Sequence, residues 1–166
     1  MDIRPADAIE LDDLATLWFE GWQDAHREIL PPALARYRTW ESFRERLQAS
    51  FSNMRVVGPV GGALGLCVIK DDELYQLYVS KAARGSGVAA LLLTDGESRL
   101  PAAGVQAAWL ACAIGNERAA KFYEKHGWGR VGNMINQLPT PDGMFPLEVW
   151  RYEKDLSRPS LEDRPI

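Results

Sequence analysis

Cysteine and histidine are scarce in this chain of 166 residues, with two of each, and neither cysteine belongs to a Cys-x-x-Cys pair. Cys67, Cys112, His26 and His126 are too few and too scattered for a zinc cluster or a disulfide framework, so no metal is expected and a reducing, cytoplasmic setting fits. Positive charge is also short: 19 Lys and Arg stand against 23 Asp and Glu, for a formal net charge of −4. Neutralising the phosphates of a nucleic acid requires a basic surface, so nucleic acid is not an expected partner and any anion site has to be local. No run reaches the roughly 20 apolar residues that cross a bilayer, and Met1-Asp2-Ile3-Arg4-Pro5 has no apolar signal core, so no membrane partner is expected. Repeats and linkers are missing too. What is present, 46% hydrophobic and 25% charged residues, suits one well-buried core. A single domain over residues 1–156 is expected, with residues 157–166, which hold two prolines and mixed charges, as a disordered tail.

Periodicity orders the chain. Asp2 to Pro5 reads as an edge strand, and Leu14, Leu17, Trp18 and Trp22 then recur at helical spacing. Pro31-Pro32 breaks that pattern, after which Thr39 can cap a helix carrying Trp40, Phe43 and Leu47 inward. Arg55 to Val57, Ala63 to Lys70 and Glu73 to Val79 are β-rich runs separated by turn residues, which predicts an antiparallel meander. Val88 to Leu100 reads as a helix ended by Pro101 to Gly104, Val105 to Ala113 as a parallel strand, and Asn116 to His126 as a helix closed by Gly127. Arg130 to Leu138 and Met144 to Lys154 are the last strands, joined by a turn over Pro139 to Gly143.

Between the strand ending at Val79 and the helix beginning near Val88 lies Ser80-Lys81-Ala82-Ala83-Arg84-Gly85-Ser86-Gly87-Val88-Ala89-Ala90. Gly85 to Ala90 satisfies Gly-x-Gly-x-x-Ala, yet five residues separate it from the strand and Ala111-Cys112-Ala113 provides no acid for a ribose, so a dinucleotide fold does not fit. A triphosphate loop needs Gly-Lys-Ser/Thr, and a hydrolase elbow needs glycine where Arg84 stands. The physics shared by these motifs remains: glycine lets backbone N–H groups approach an anion closely, and a helix N-terminus adds its positive end. Arg84 and Lys81 would raise the local potential. A plain loop with solvated cations is the alternative on the turn alone.

Asn116-Glu117-Arg118-Ala119-Ala120-Lys121-Phe122-Tyr123-Glu124-Lys125-His126-Gly127-Trp128 follows one strand and one loop later. Together with Arg84-Gly85-Ser86-Gly87-Val88-Ala89 it resembles the GNAT superfamily of acetyl-coenzyme A-dependent N-acetyltransferases: Arg84, Gly87 and Ala89 fill the phosphate-turn pattern, and Asn116, Ala119, Tyr123, Glu124, Lys125, Gly127 and Trp128 match the downstream one in order. The similarity runs from Ile3-Arg4 through the last strand. It implies an α/β (α+β) fold with a mixed, mostly antiparallel sheet of six to seven strands, about four flanking helices and splayed central strands. It also implies acetyl-CoA as cofactor, with coenzyme A as product. Leu77, Tyr78 and Val79 would pair with the pantetheine arm, and Arg84, Gly85, Ser86, Gly87, Val88 and Ala89 would take the pyrophosphate. Asn116 and Ala119 complete the implied cofactor site. A bulge in the fourth strand, which the sequence does not reveal, would free an amide toward the thioester carbonyl.

The same resemblance makes Tyr123 the catalytic acid and places Glu73 where some relatives carry a general base. A phenol of pKa about 10 can protonate a thiolate whose conjugate acid lies near about 8.5 when the site holds the two together. Locally, Tyr123 also reads as a packing residue, Asn116 as a helix cap and Glu73 as a solvated residue of the Asp71-Asp72-Glu73 turn. His26 and His126 read as structural or solvated, and Cys112 as core. The implied activity is transfer of acetyl from acetyl-CoA to a primary amine of a small molecule or peptide by direct attack, with a homodimer left open. A non-catalytic coenzyme A-binding sensor or assembly module is the alternative. The acceptor pocket falls to residues 22–40 and 140–145. The acid excess from Asp7 to Glu28 would suit a cationic acceptor, or is simply a solvated helix face.

Overall fold

The computed structural model describes residues 2–157. The expected tail therefore lies outside the described residues apart from Ser157. Seven strands form one sheet in the order β1-β2-β3-β4-β5-β7-β6, with β1 Ile3–Pro5, β2 Met54–Val57, β3 Gly65–Lys70, β4 Glu73–Val79, β5 Ala107–Ala113, β6 Gly129–Thr140 and β7 Gly143–Asp155. Every neighbouring pair is antiparallel except β4 and β5, which a long helical crossover joins.

The helices are α1 Leu11–His26, α2 Pro32–Ala35, α3 Trp40–Ala49, α4 Val88–Ala102 and α5 Glu117–Lys125. On α1, Leu14, Trp18 and Trp22 are buried as their spacing predicts, whereas Leu17 is half-buried at the edge of the stripe. Thr39 caps α3 by accepting a hydrogen bond from the Ser42 amide at 3.2 Å. The first helix ends at His26, ahead of Pro31-Pro32, and Pro32 starts the short α2, because a proline at the first helical position surrenders an N–H that has no partner anyway.

Two further boundaries differ from expectation. The fourth helix continues past Leu100 to Ala102 with Pro101 inside its last turn, and its terminal carbonyls are taken by the amides of Ala103, Gly104 and Val105. The final hairpin turns over Pro141-Asp142 alone, so Pro139 sits within β6, opposite Met144. That is tolerated because β6 is the edge of the sheet, where one missing amide breaks no ladder.

Two apolar layers flank the sheet. Val88, Leu92, Leu93 and Leu100 of α4 pack with Leu74, Leu110 and Tyr152 on one side, while Leu14, Trp18 and Trp22 of α1 pack with Phe43, Leu47, Val56 and Leu66 on the other. Among the described residues no helix is long and apolar enough to cross a membrane, and no group of three His, Cys, Asp or Glu side chains converges as a metal site.

Candidate active site

β4 and β5 touch at one register position only, Glu73 opposite Trp109. The Trp109 indole fastens that end by donating to Asp72 Oδ1 at 2.9 Å, and its amide donates to the Asp72 carbonyl at 3.2 Å. Beyond it the strands part. Leu77, Tyr78 and Val79 keep β3 on one side, opposite Cys67, Leu66 and Gly65, while the edge facing β5 has no strand partner. Unpaired backbone groups on a strand edge are a template for an extended ligand. A cleft of about 590 Å³ fills the opening, bounded by Leu74 to Val79, the glycine turn, Ala111 to Ala113 and α5.

β4 carries a bulge. Val68 stands opposite Gln76 and Ile69 opposite Leu74, which leaves Tyr75 as the extra residue. An extra residue shifts the alternation of a strand. Leu74, Leu77 and Val79 accordingly pack with the α4 layer, and Tyr75 and Tyr78 with the α1 and α3 layer.

The glycine turn stands at the mouth of this cleft. Gly85 and Gly87 have φ of +78° and +87°, the left-handed region, and a Cβ built on either would meet nothing within 4 Å. Glycine is thus required by the backbone angle, and the space in front of the turn stays open. Gly87 is the N-cap of α4 and provides no side-chain cap, so the first helical amides, from Val88 and Ala89 onward, remain available to an anion. The Ser86 hydroxyl is turned away, donating to the Ala83 carbonyl. Arg84 is not a free cation here: it is ion-paired with Asp24 of α1, and Arg118 of α5 lies 3.7 Å from the same carboxylate. The Arg84 hydrogen bond, with further attraction from Arg118 and Lys81, holds the Asp24 carboxyl below the usual range.

α5 forms the opposite wall. Asn116 caps it by accepting from the Ala119 amide at 3.3 Å. At the other end Gly127, at φ +89°, lets the chain turn so that the Trp128 amide donates to the Tyr123 carbonyl at 3.0 Å and its buried indole reaches Glu97 at 2.9 Å. These contacts set the Tyr123 ring among Phe122, Trp128 and Tyr152, at centroid distances of 5.4, 6.3 and 6.3 Å. Its hydroxyl makes no hydrogen bond to any described residue, and burial, with Cys112, Cys67 and Tyr78 nearby, pushes its pKa far up. It keeps its proton throughout the physiological range.

Glu73 lies at the closed end of the opening, and the cleft lining begins one residue later, at Leu74. Burial, opposed by Lys70 and reinforced by Asp72, raises its carboxyl to about 7. Cys112 borders the cleft, but burial lifts its thiol to about 12, so it is no nucleophile at neutral pH. His26 also borders the cleft, its Nδ1 3.2 Å from the Trp22 carbonyl and its pKa lowered to about 4 by burial. The acidic residues Asp12, Asp13, Glu20 and Asp24 of α1 face solvent.

Several wall residues escape sequence reasoning. Gly21 is one: a Cβ there would come within 2.7 Å of the Tyr78 ring, so its absence lets α1 lie against β4. The clue in the sequence was a glycine inside a strongly periodic helix, where it costs roughly 1 kcal/mol relative to alanine. The segments assigned to the acceptor side do meet, since the Tyr37 hydroxyl donates to Asp142 of the β6–β7 turn at 2.6 Å.

The fold that carries this cleft is shared with solved N-acetyltransferases. A GCN5-related N-acetyltransferase from Rhodopseudomonas palustris matches 93% of this chain and 94% of its own at TM-score 0.72 and 17% identity. The PaiA N-acetyltransferase of Thermoplasma acidophilum, solved in complex with coenzyme A, matches 93% and 98% at TM-score 0.66 and 18% identity. In sequence, the ribosomal protein bS18-alanine N-acetyltransferase of Haemophilus ducreyi is 34% identical over 83 residues, 49% of this chain and 57% of that protein. The chain thus matches little more than half the length of that curated relative. The profile of the acetyltransferase (GNAT) family covers residues 11–128, and the chain belongs to that family.

Proposed function

We propose that residues 1–156 form one catalytic domain that transfers an acetyl group from acetyl-CoA to a primary amine by direct attack. The observation that carries this reading is the juxtaposition of the unpaired β4 edge, the uncapped α4 N-terminus and the Tyr123 hydroxyl around one cleft. When bound, acetyl-CoA supplies a thioester: the carbonyl that is attacked and the sulfur that leaves. The backbone of Leu77, Tyr78 and Val79 would hold the pantetheine arm as an added strand, and the amides from Gly85 to Ala89 would hold the pyrophosphate, with Arg84 beside them. Asn116 and Ala119 shape the wall along that arm. The bulge at Tyr75 would free a β4 amide from the ladder for the thioester carbonyl oxygen.

The N–C bond forms as the C–S bond breaks; an ammonium acceptor gives up two protons, the first before attack and the second from the newly bonded nitrogen, and one proton reaches the sulfur. Tyr123 holds the sulfur's proton until the sulfur becomes basic enough to take it, and the second proton from the nitrogen then restores the phenol. An ammonium of pKa about 10.4 is almost wholly protonated at pH 7, so the first proton needs an acceptor. Glu73, with its raised carboxyl, can receive it through water from the closed end of the cleft.

Calorimetric melting tests the binding half: coenzyme A should stabilise the protein and NAD should not, since a ligand that binds only the native state raises its melting temperature. Thiol release from acetyl-CoA with a panel of amines tests the chemistry. Binding without release across the panel would leave a coenzyme A-binding module instead.

A further inference from the structure

His26 ends α1 and borders the cleft with only 9% of its surface exposed. Its Nδ1 lies 3.2 Å from the Trp22 carbonyl, and because a carbonyl oxygen only accepts, Nδ1 carries the ring proton and Nε2 keeps a bare lone pair. The tautomer is thus set by the helix itself. Nε2 has no hydrogen-bond partner among the described residues, yet it is not one of the buried atoms shut off from open space. It is the ring nitrogen left to meet the cleft.

The last turn of α1 spans the opening on its own side of the sheet. Asp24 reaches Arg84 of the glycine turn and Arg118 of α5, and Ile29 packs on Gly115, where a Cβ would come within 3.4 Å of it. His26 falls between these two anchors. The start of α4 and Tyr123 belong to the opposite layer, so a thioester held by them faces the gap from there and leaves the α1 side to the acceptor. No carboxylate is among the described residues that line the cleft, and the Tyr75 hydroxyl already accepts from Arg46 at 2.8 Å. An arriving amine meets neutral acceptors. Burial keeps the imidazole uncharged down to a pKa of about 4, so it neither repels an ammonium nor competes for its proton at neutral pH.

An ammonium that becomes an amide gives up two hydrogens and keeps the third. We propose that His26 Nε2 accepts a hydrogen bond from this third N–H, from the arriving amine to the product amide, and so aims the nitrogen lone pair at the thioester. The inference rests on the acetyltransferase reading and adds a residue that selects the acceptor. A primary amine retains an N–H for His26 in the product, and a secondary amine retains none.

The experiment pairs residue against substrate. Thiol release is followed for wild type, His26→Asn and His26→Gln with primary amines and their N-methyl counterparts. The Asn amide stands in the place of Nδ1 and can still donate to Trp22, whereas the Gln amide reaches the place of Nε2 and restores an acceptor there. His26→Asn should lose about three- to tenfold in kcat/KM with primary amines and less with their N-methyl counterparts, and His26→Gln should recover part of the loss. Calorimetric dissociation constants of coenzyme A should match in all three. In parallel, nitrogen NMR of histidine-labelled protein reads the two imidazoles, with His126→Gln leaving His26 as the sole signal. Nε2 should be bare in the free protein and shift toward the hydrogen-bonded range when coenzyme A and N-acetylated primary amines are added, but not with the N-methyl forms. This arm needs neither His26 variant to fold.

Equal losses for primary and N-methyl amines would make His26 a packing residue and overturn the inference. Weaker coenzyme A binding in His26→Asn, restored in His26→Gln, would give Nε2 to the cofactor arm and overturn it as well. Thiol release in wild type leaves the acetyltransferase reading standing in both cases. If no amine releases thiol but Nε2 still shifts with the acetylated primary amines, the N–H site stands and the acetyltransferase reading falls. Neither release nor shift overturns both.

Discussion

Asp24 of α1 holds the guanidinium of Arg84, so the cation nearest the glycine turn is already engaged by a carboxylate. Any phosphate arriving at the turn competes with Asp24 for Arg84 and, at 3.7 Å, for Arg118. Asp24→Asn is therefore expected to tighten coenzyme A binding by about threefold or more at low salt, with the difference fading near about 0.5 M salt as screening takes over. Calorimetric dissociation constants at the two ionic strengths check this. An unchanged constant at low salt would remove Arg84 from the phosphate site.

Gly87→Glu places a charged side chain in the left-handed region and in front of the free amides of α4. Coenzyme A affinity should fall at least about tenfold, while backbone strain of about 1–2 kcal/mol leaves the domain folded. Gly87→Ala carries the strain without the charge and should lose less affinity. If both variants bind as wild type does, the turn is not the anion site.

Tyr123→Phe keeps the ring among Phe122, Trp128 and Tyr152 and deletes the proton. Turnover should drop by about 100- to 10,000-fold, with the acetyl-CoA dissociation constant and melting temperature nearly unchanged. Because burial raises the phenol far above neutral, no limb of the pH profile should belong to Tyr123. A turnover within about threefold of wild type, with chemistry rate-limiting, assigns the sulfur's proton to solvent.

Glu73 makes a prediction in pH. Its carboxyl is raised from 4.5 to about 7, so the folded state holds the proton more tightly than the unfolded state, and stability is lost as pH rises through that interval. Glu73→Gln should be more stable than wild type by about 1–2 kcal/mol above pH 7 and equal to it near pH 4, as read from urea unfolding. If Glu73 is also the base, kcat/KM in wild type rises through a limb near about 7 that the variant lacks. A limb that persists in Glu73→Gln gives the role to water.

Much of this was legible in the sequence because it is local. The cap at Asn116, the left-handed stop at Gly127 and the glycine turn each need only a few adjacent residues, and β4 has the expected limits from Glu73 to Val79. What the sequence concealed depends on distance or on neighbours. Asp24 and Arg84 stand 60 residues apart, and nothing near either one announces the pair. Arg38, in a polar segment beside Tyr37, looks like a solvated cation until the chain packs over it. Pro139 reads as a turn because proline usually leaves a sheet, and only the strand order shows that β6 is an edge.

The extra residue at Tyr75 makes β4 intolerant in one particular way. Leu74 and Leu77 face the same layer although three positions separate them, so the two halves of the strand are out of phase and the bulge is the hyphen between them. Swapping one side chain for another would change the walls of the cleft while leaving this phasing intact. Removing Tyr75 or Gln76 would close the bulge and leave Leu74, Leu77 and Val79 on one face of a regular strand, whereas removing a residue elsewhere in β4 would turn one half over. Substrate range can therefore drift by substitution along β4, whereas a change of length outside Tyr75 and Gln76 reverses the faces of one half. Insertions and deletions in descendants of this chain should collect in segments such as Gly58 to Leu64, and any loss within β4 should fall at the bulge.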